Sequence, residues 1–344
     1  AGEPLGYFAD ARGQMISRSS WEKDALQLNY VARAVVAGHK APIRGYFRVN
    51  ALGTEWLDFR SRANSHSRVN SLVTVDGQGQ DASSVRTLYY RGASHTKGAT
   101  FDLMGSDLTA AYRHADNPFP NLNYTRLKPD PRPWFDMPFK YLVHWYYGDR
   151  PQKQILDFGE VEFDPENYKG KQEFAYAYRT AAFARGEHPY ILIVDDVKKD
   201  DQTREYIWHA ALNAALKKNL GDHQVTGDTA ILTDAHDPTK HLYVRMFGYE
   251  GNGTFVIEHV LPTQDVDRPK MDLKTDLMPH NLKFKSRSNT AKFRALIYAF
   301  RDGDPMPTIA GKAGAYTITI GEQIDTLDLS TAPEHGVKVQ LTRK

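Results

Sequence analysis

Between residues 39 and 80 the chain gathers side chains able to hold an anion. His39 and Arg44 flank Pro42, and Arg60, Arg62, His66, Arg68 and Asn70 follow a run ending at Asp58. The stretch closes on Val73-Thr74-Val75-Asp76-Gly77-Gln78-Gly79-Gln80. Guanidinium and amide groups concentrated between strands suit recognition of carboxylate or sulfate. The other reading is a solvated loop with a satisfied core histidine, and spacing alone favours it. Trp21 either stacks on a sugar ring or packs against a sheet. Trp134, Phe135, Tyr141, His144, Trp145, Tyr146 and Tyr147 form an aromatic run, and alternate members of a strand there must point outward. Arg179 and Arg185 are expected to pair with carboxylates, although an inward Arg179 could bind acid groups of a ligand. Asp195-Asp196 could offer oxygen donors to calcium.

These residues must be positioned by strands. Short alternating runs rich in Val, Ile, Tyr, Phe and Thr recur at residues 44–51, 71–75, 86–91, 139–147, 173–183, 190–197, 204–212, 241–249, 254–260, 292–300 and 316–320. Turn signals separate them: Asp76-Gly77, Gly221-Asp222, Gly227-Asp228, Gly251-Asn252-Gly253 and Asp302-Gly303-Asp304. The spacing predicts roughly eighteen to twenty strands, as in sandwiches. Helical pattern is confined to a turn or two at residues 21–26 and 210–216. The fold class is therefore all-β, a large multi-sheet antiparallel sandwich of supersandwich-like type. Residues 1–260 are expected to form the main sandwich. Residues 261–344 either continue it or make a small second β-domain. The proline-rich stretch 117–138 is the longest irregular segment, of the kind that is often functional.

Composition narrows the function classes. With 44 basic and 42 acidic residues the net charge is +2, so no global field draws in nucleic acid or a membrane, while a local basic patch could still hold a polyanion. The absence of cysteine excludes disulfides, thiolate catalysis and cysteine-based metal sites. The longest apolar runs, such as residues 190–194, are too short to span a bilayer. A chain beginning with Ala rather than Met reads as a processed or partial one.

Several of these segments, taken in order, resemble heparinase II/III-like polysaccharide lyases. Arg18-Ser19-Ser20-Trp21-Glu22-Lys23-Asp24-Ala25 is similar to the opening of that family's β-domain. His39, then Gly45-Tyr46-Phe47, Ala51-Leu52-Gly53 and Trp56-Leu57-Asp58, look like its core segment. Residues 70–80 resemble its His-Asn-Thr-Val-Leu-Val-Asp-Gly-x-x-Gln. Tyr178-Arg179-Thr180, the stretch 186–196 and the Tyr-x-Trp strand 204–209 follow in the family's order. The resemblance covers about residues 14–210 and leaves the last third unassigned.

The resemblance implies cleavage of a uronic-acid polysaccharide by β-elimination. A proton leaves C5, the C4–O4 bond breaks, and donors must neutralise the adjacent carboxylate as charge develops. It implies His39 as a catalytic residue and Asn70 as an amide facing that carboxylate, where capping of a strand end is the alternative. Arg44, Arg60, Arg62, His66 and Trp21 would be substrate-binding. The family's structural zinc ligands fall on Ala41, Asp58 and Asn70, so two of three are missing and zinc is doubtful; His39, Asp58 and His66 are an alternative set, with Asp58 the metal-ligand candidate. The family's N-terminal (α/α) toroid is absent from this sequence and would be a separate domain or chain. Expected partners are an acidic polysaccharide, that toroid and a further copy in an oligomer, and the expected location is periplasmic or secreted. Heparan sulfate, chondroitin, alginate, ulvan and glucuronan all present uronates. The rival reading is a non-catalytic carbohydrate-binding or docking sandwich serving a larger enzyme.

Overall fold

Strict alternation sets the first sheet. β1 (Gly6–Ala9), β2 (Gln14–Arg18), β3 (Gln27–Val31), β4 (Tyr46–Ala51) and β5 (Thr54–Leu57) pair in chain order as an antiparallel meander. Met15, Leu28, Tyr30, Phe47, Val49 and Trp56 all point inward, and the intervening Gln, Asn and Arg residues point out, as the two-residue period of a half-covered sheet requires. This computed structural model describes residues 3–9, 13–32, 44–58, 70–80, 88–89, 96–109, 112, 174–213, 223–259, 280–332 and 336–344.

Seven strands follow: β6 (Val73–Val75), β7 (Leu88–Tyr89), β8 (Thr96–Lys97), β9 (Phe101–Asp107), β10 (Tyr176–Ala184), β11 (Tyr190–Lys198) and β12 (Arg204–Ala211). After them come β13 (Gln224–Thr226), β14 (Thr229–Thr233), β15 (Lys240–Phe247), β16 (Gly253–His259), β17 (His280–Ser288) and β18 (Ala291–Arg301). The chain ends with β19 (Thr308–Lys312), β20 (Ala315–Ile320), β21 (Gln323–Ala332) and β22 (Gly336–Arg343). A nine-stranded sheet runs β13-β14-β15-β18-β11-β10-β9-β7, with β8 also on β9. A four-stranded sheet runs β16-β17-β12-β6, and the last four strands make another.

Three layers result. The first sheet and the β16-β17-β12-β6 sheet meet at a Leu57–Leu212 bridge. Their inner faces share one apolar cluster with Met104, Phe183, Ile191, Ile193, Phe293 and Ile297 of the nine-stranded sheet. The opposite face of that sheet, with Tyr190, Leu192, Val194 and Leu296, packs on Ile318, Ile320, Leu327 and Val339 of the C-terminal sheet. Strand β11 is covered on both sides, which is why residues 190–194 read as an unbroken apolar run rather than an alternation. The all-β expectation holds across four antiparallel sheets.

Most expected runs are strands within a residue or two, whereas residues 139–147 lie outside the described residues. The helical turn expected at residues 21–26 is an irregular turn, closed by Ala25 N–H donating to the Glu22 carbonyl at 3.1 Å. β17 and β18, beyond residue 261, are inner strands of the two sheets they join.

Phe284 lies fully buried, its ring 4.7 Å from Tyr249, 4.9 Å from Phe255 and 5.7 Å from Phe293, centroid to centroid. Phe284→Ala should cost about 3–5 kcal/mol in urea denaturation, and Phe284→Leu less than about 1.5 kcal/mol. Equal losses from the two would show that ring volume at this position is unimportant.

Candidate functional site

The site is built on one buried arginine. Antiparallel pairing of β10 with β11 sets Arg179 directly opposite Asp195. Its Nε donates to Asp195 Oδ1 at 2.6 Å and its Nη2 to Oδ2 at 2.9 Å, in the forked geometry guanidinium favours. Both side chains are at most 2% exposed. Burial works against the Arg179 charge, but Asp195 outweighs it and holds the guanidinium above its usual range. The remaining nitrogen, Nη1, donates to the Gly45 carbonyl at 2.7 Å and to the Ser71 carbonyl at 2.6 Å. One atom thereby clamps together the turns at residues 44–45 and 70–71, which are far apart in sequence.

Local sequence makes each turn able to take that position. Gly45 has φ +82, and a Cβ there would lie 2.7 Å from Leu108 Cδ1, so only glycine fits. Asp76 and Gly77, with φ 50 and 78, form a tight reversal in which Val75 and Gln78 exchange backbone hydrogen bonds of 2.8 and 2.9 Å. The reversal returns Gln80 to the first turn. There Arg44 N–H donates to Gln80 Oε1 at 2.7 Å, and Gln80 Nε2 donates to the Arg44 carbonyl at 2.8 Å.

Arg44 and Asn70 each immediately precede a clamped carbonyl, so the fold brings these two expected residues together. Both are buried: Arg44 is 2% exposed and Asn70 is 0%. Neither side chain stands in solvent. Asp58 joins the same region through its backbone, its N–H donating to the Ala211 carbonyl at 3.0 Å, while Ser71 Oγ accepts from Ala211 N–H at 3.1 Å. Trp21 is elsewhere. It is 53% exposed beside Arg18, whose row across the sheet reaches Asn50, four residues along β4 from Tyr46 and thus about 13 Å beyond the clamp end. Trp21 therefore does not pack into the sandwich. His39, Arg60, Arg62 and His66 lie outside the described residues, as do the aromatic residues 134–147.

Arg179 and Arg185 take the carboxylate-pairing alternative. Arg185 Nη2 pairs with buried Asp102 at 2.5 Å, and Arg179 has its donors committed to Asp195 and the two turns.

The structure adds groups that sequence reasoning passed over. His209 was visible only as the end of the Tyr-x-Trp strand. It projects from the face opposite Trp208, where Nε2 shares a 2.8 Å hydrogen bond with Thr74 Oγ1. Its Nδ1 is buried with no hydrogen-bond partner among the described residues. Burial, reinforced by neighbouring Lys283, pushes the imidazole down to about 3, so it is neutral at pH 7. Lys283 sits opposite His209 in register and holds Glu258 at 2.9 Å; Lys285 also pairs with Glu258. A period-two count of polar positions on β12 and β17 would have shown this charged face.

The described donors do not fit the implied zinc. Asp58 is engaged by Arg48, whose Nε donates to Oδ1 at 2.6 Å. Asn70 offers only an amide, and zinc takes thiolate, imidazole or carboxylate. No group of three His, Asp or Glu side chains able to hold a metal occurs among the described residues. The calcium expectation at Asp195-Asp196 is corrected: Asp195 is held by Arg179, and Asp196 Oδ1 lies 2.6 Å from Arg294 Nη2. Arginine thus takes both oxygens of Asp195 and lies against one of Asp196.

A multi-sheet antiparallel sandwich with two turns clamped by a buried arginine is the class these features define. No family model matches the chain, and no curated protein matches it by sequence. By structure it is similar to heparan sulfate lyase HepC from Pedobacter heparinus, with a TM-score of 0.59 and 13% identity, over 100% of this chain and 43% of that one. It is also similar to a heparinase III, the BT4657 gene product, at TM-score 0.55 and 12% identity, over 100% and 42% of the two chains. A further heparinase III structure matches at TM-score 0.55 and 8% identity, over 95% and 43%. The chain thus has the fold of the β-sandwich portion of these lyases and spans less than half of their length.

Two outcomes follow from the buried groups. Arg179→Met should cost about 3–5 kcal/mol in chemical denaturation, because Asp195 and two carbonyls stay buried without their donor; Arg179→Met with Asp195→Leu should recover part of that loss. No recovery would mean that the pair itself, rather than an orphaned charge, carries the stability. For His209 the folded-state value near 3 lies below the ordinary 6.5, so the unfolded chain binds the extra proton between those limits. Its contribution is complete above about pH 6.5 and declines toward pH 3, by at most about 1.4 kcal/mol per pH unit. His209→Gln should flatten that part of the stability–pH curve, and an unchanged slope would place the acid sensitivity elsewhere.

Proposed function

We propose that this chain is the β-sandwich part of a polysaccharide lyase that cleaves a uronic-acid-containing anionic polysaccharide by β-elimination. The observation that carries the reading is the Arg179 clamp. It seats Asn70 beside the turn that starts β4, within a sandwich whose whole length superimposes on heparan sulfate lyases. In this reading His39 takes the C5 proton, and the Asn70 amide lies toward the uronate carboxylate as negative charge develops. Arg60, Arg62 and His66 hold carboxylate or sulfate, and buried Arg44 adds positive charge.

The reading places the remaining acid and base groups on a helical toroid, present as a further domain or a partner chain. It also places the protein in the periplasm or outside the cell. No helix among the described residues is long and apolar enough to cross a membrane. The rival, a sandwich that binds glycan without cleaving it, draws on the burial of Arg44 and Asn70.

The ultraviolet absorbance of an unsaturated uronate separates the two. The full-length protein should generate it from at least one uronate polymer, and His39→Ala and Asn70→Ala should each lower kcat about 100-fold or more with folding intact. Absence of signal from every uronate polymer tried would sink the lyase reading. Full activity in both variants would move the site.

A further inference from the structure

The outer face of the first sheet carries a second cluster of residues suited to a glycan, separate from the clamp. Two of the three large hydrophobic side chains left open to solvent among the described residues are Tyr7, 59% exposed on β1, and Trp21, 53% exposed just after β2. Trp21 is fixed in place. Its Nε1 donates to the Glu3 carbonyl at 3.1 Å, and the Arg18 guanidinium lies 4.3 Å from its ring centroid. Direct register neighbours extend this edge across the sheet: Arg18 pairs with Gln27, and Gln27 with Asn50. At about 4.8 Å per strand the row spans about 10 Å. In the adjoining row Asn29 lies between Ile16 and Arg48, and Gln14 Nε2 donates to Asn29 Oδ1 at 3.2 Å.

This chemistry discriminates between occupants. Ile16 is the only aliphatic side chain in the middle of these two rows, so the face lacks the apolar centre a protein partner would require. Amides both donate and accept, as sugar hydroxyls do, and exposed rings offer a flat apolar surface to sugar C–H groups. Charge sets the class of sugar. Arg48 is matched by Asp58 and Glu55. Arg18 has no carboxylate partner among the described residues, and its Nε lacks any hydrogen-bond partner there. Within these two rows Arg18 is therefore the one charge without a carboxylate partner among the described residues.

We propose that Trp21, Arg18, Gln27, Asn50 and Tyr7 form a non-catalytic binding face for a strand of acidic polysaccharide, with Trp21 under a sugar ring and Arg18 on its carboxylate or sulfate. The face does not depend on the lyase reading, because holding a glycan requires no turnover.

Titration of the intact chain with soluble heparan sulfate, alginate and neutral dextran, followed by calorimetry and by quenching of tryptophan fluorescence, tests this. The acidic polymers should bind and dextran should bind at least about tenfold more weakly. Trp21→Ala should weaken acidic-polymer binding about tenfold. Arg18→Gln should do the same and lower the salt dependence. Binding is read here without turnover, so failure of the cleavage reading and failure of this one remain distinct. Binding unchanged in both Trp21→Ala and Arg18→Gln, with native circular dichroism, would overturn the proposal. So would equal affinity for dextran, or no binding of any polymer. Shielding of Trp21 from acrylamide in the full-length protein would overturn it too, by showing that another domain covers the face.

Discussion

The arrangement depends on a guanidinium held where water is excluded. Taking Arg179 and Asp195 out of water costs several kcal/mol per ion, and a well-packed apolar pair would often be as stable. What an apolar pair cannot do is bond two carbonyls. Arg179 has four donor contacts in fixed directions, two on Asp195 and two on the Gly45 and Ser71 backbones. Those directions set the separation of two turns that no strand pairing joins. The pair therefore contributes position more than net stability.

The same device recurs at the other layer contacts. Arg185 reaches from the nine-stranded sheet to the Arg18 carbonyl at 2.9 Å and pairs with Asp102, which in turn accepts from Ser17 at 2.7 Å in the first sheet. On the opposite side Asp325 accepts from Arg343 at 2.7 and 2.8 Å and from the Tyr190 hydroxyl at 2.9 Å, while Arg343 also donates to the Arg185 carbonyl. Apolar contacts between sheets tolerate sliding; bidentate contacts do not. Buried Arg179 and Arg185 on one side, and partly buried Arg343 on the other, tie the neighbouring layers to the central sheet.

Strand positions were legible because period and turn chemistry are local. Asp76-Gly77 and Gly303 announce reversals that the backbone then takes with positive φ. Site geometry was legible only in part. Arg179 and Asp195 stood out as separate motifs, yet their meeting depends on register across a hairpin, which period alone does not fix. His209 was hidden for a different reason. One histidine in an apolar strand looks like a core residue, and its relation to Lys283 appears only when β17, more than seventy positions later, is laid beside β12. Trp21 had two open readings, and its exposure removes packing into the sandwich, because packing of the edge turn is a tertiary property.

The burial of Asn70, Arg44 and His209 constrains any chemistry on this face. Of the three, the proposed reading turns only the Asn70 amide toward the polymer, while Arg44 and His209, each at 2% exposure, serve by holding others still. A proton α to a carboxylate is lost only when the developing charge meets donors already aimed at it, and rigidity beneath the site supplies that aim. The sandwich, on the reading proposed here, is therefore the fixed jaw of a two-part cleft. It supplies position, while mobility and the complementary acid or base belong to the helical partner. Such a division also favours a separate holding face such as the Trp21 edge, since a long polymer kept near the cleft by weak contacts raises its local concentration without tightening the reacting site itself.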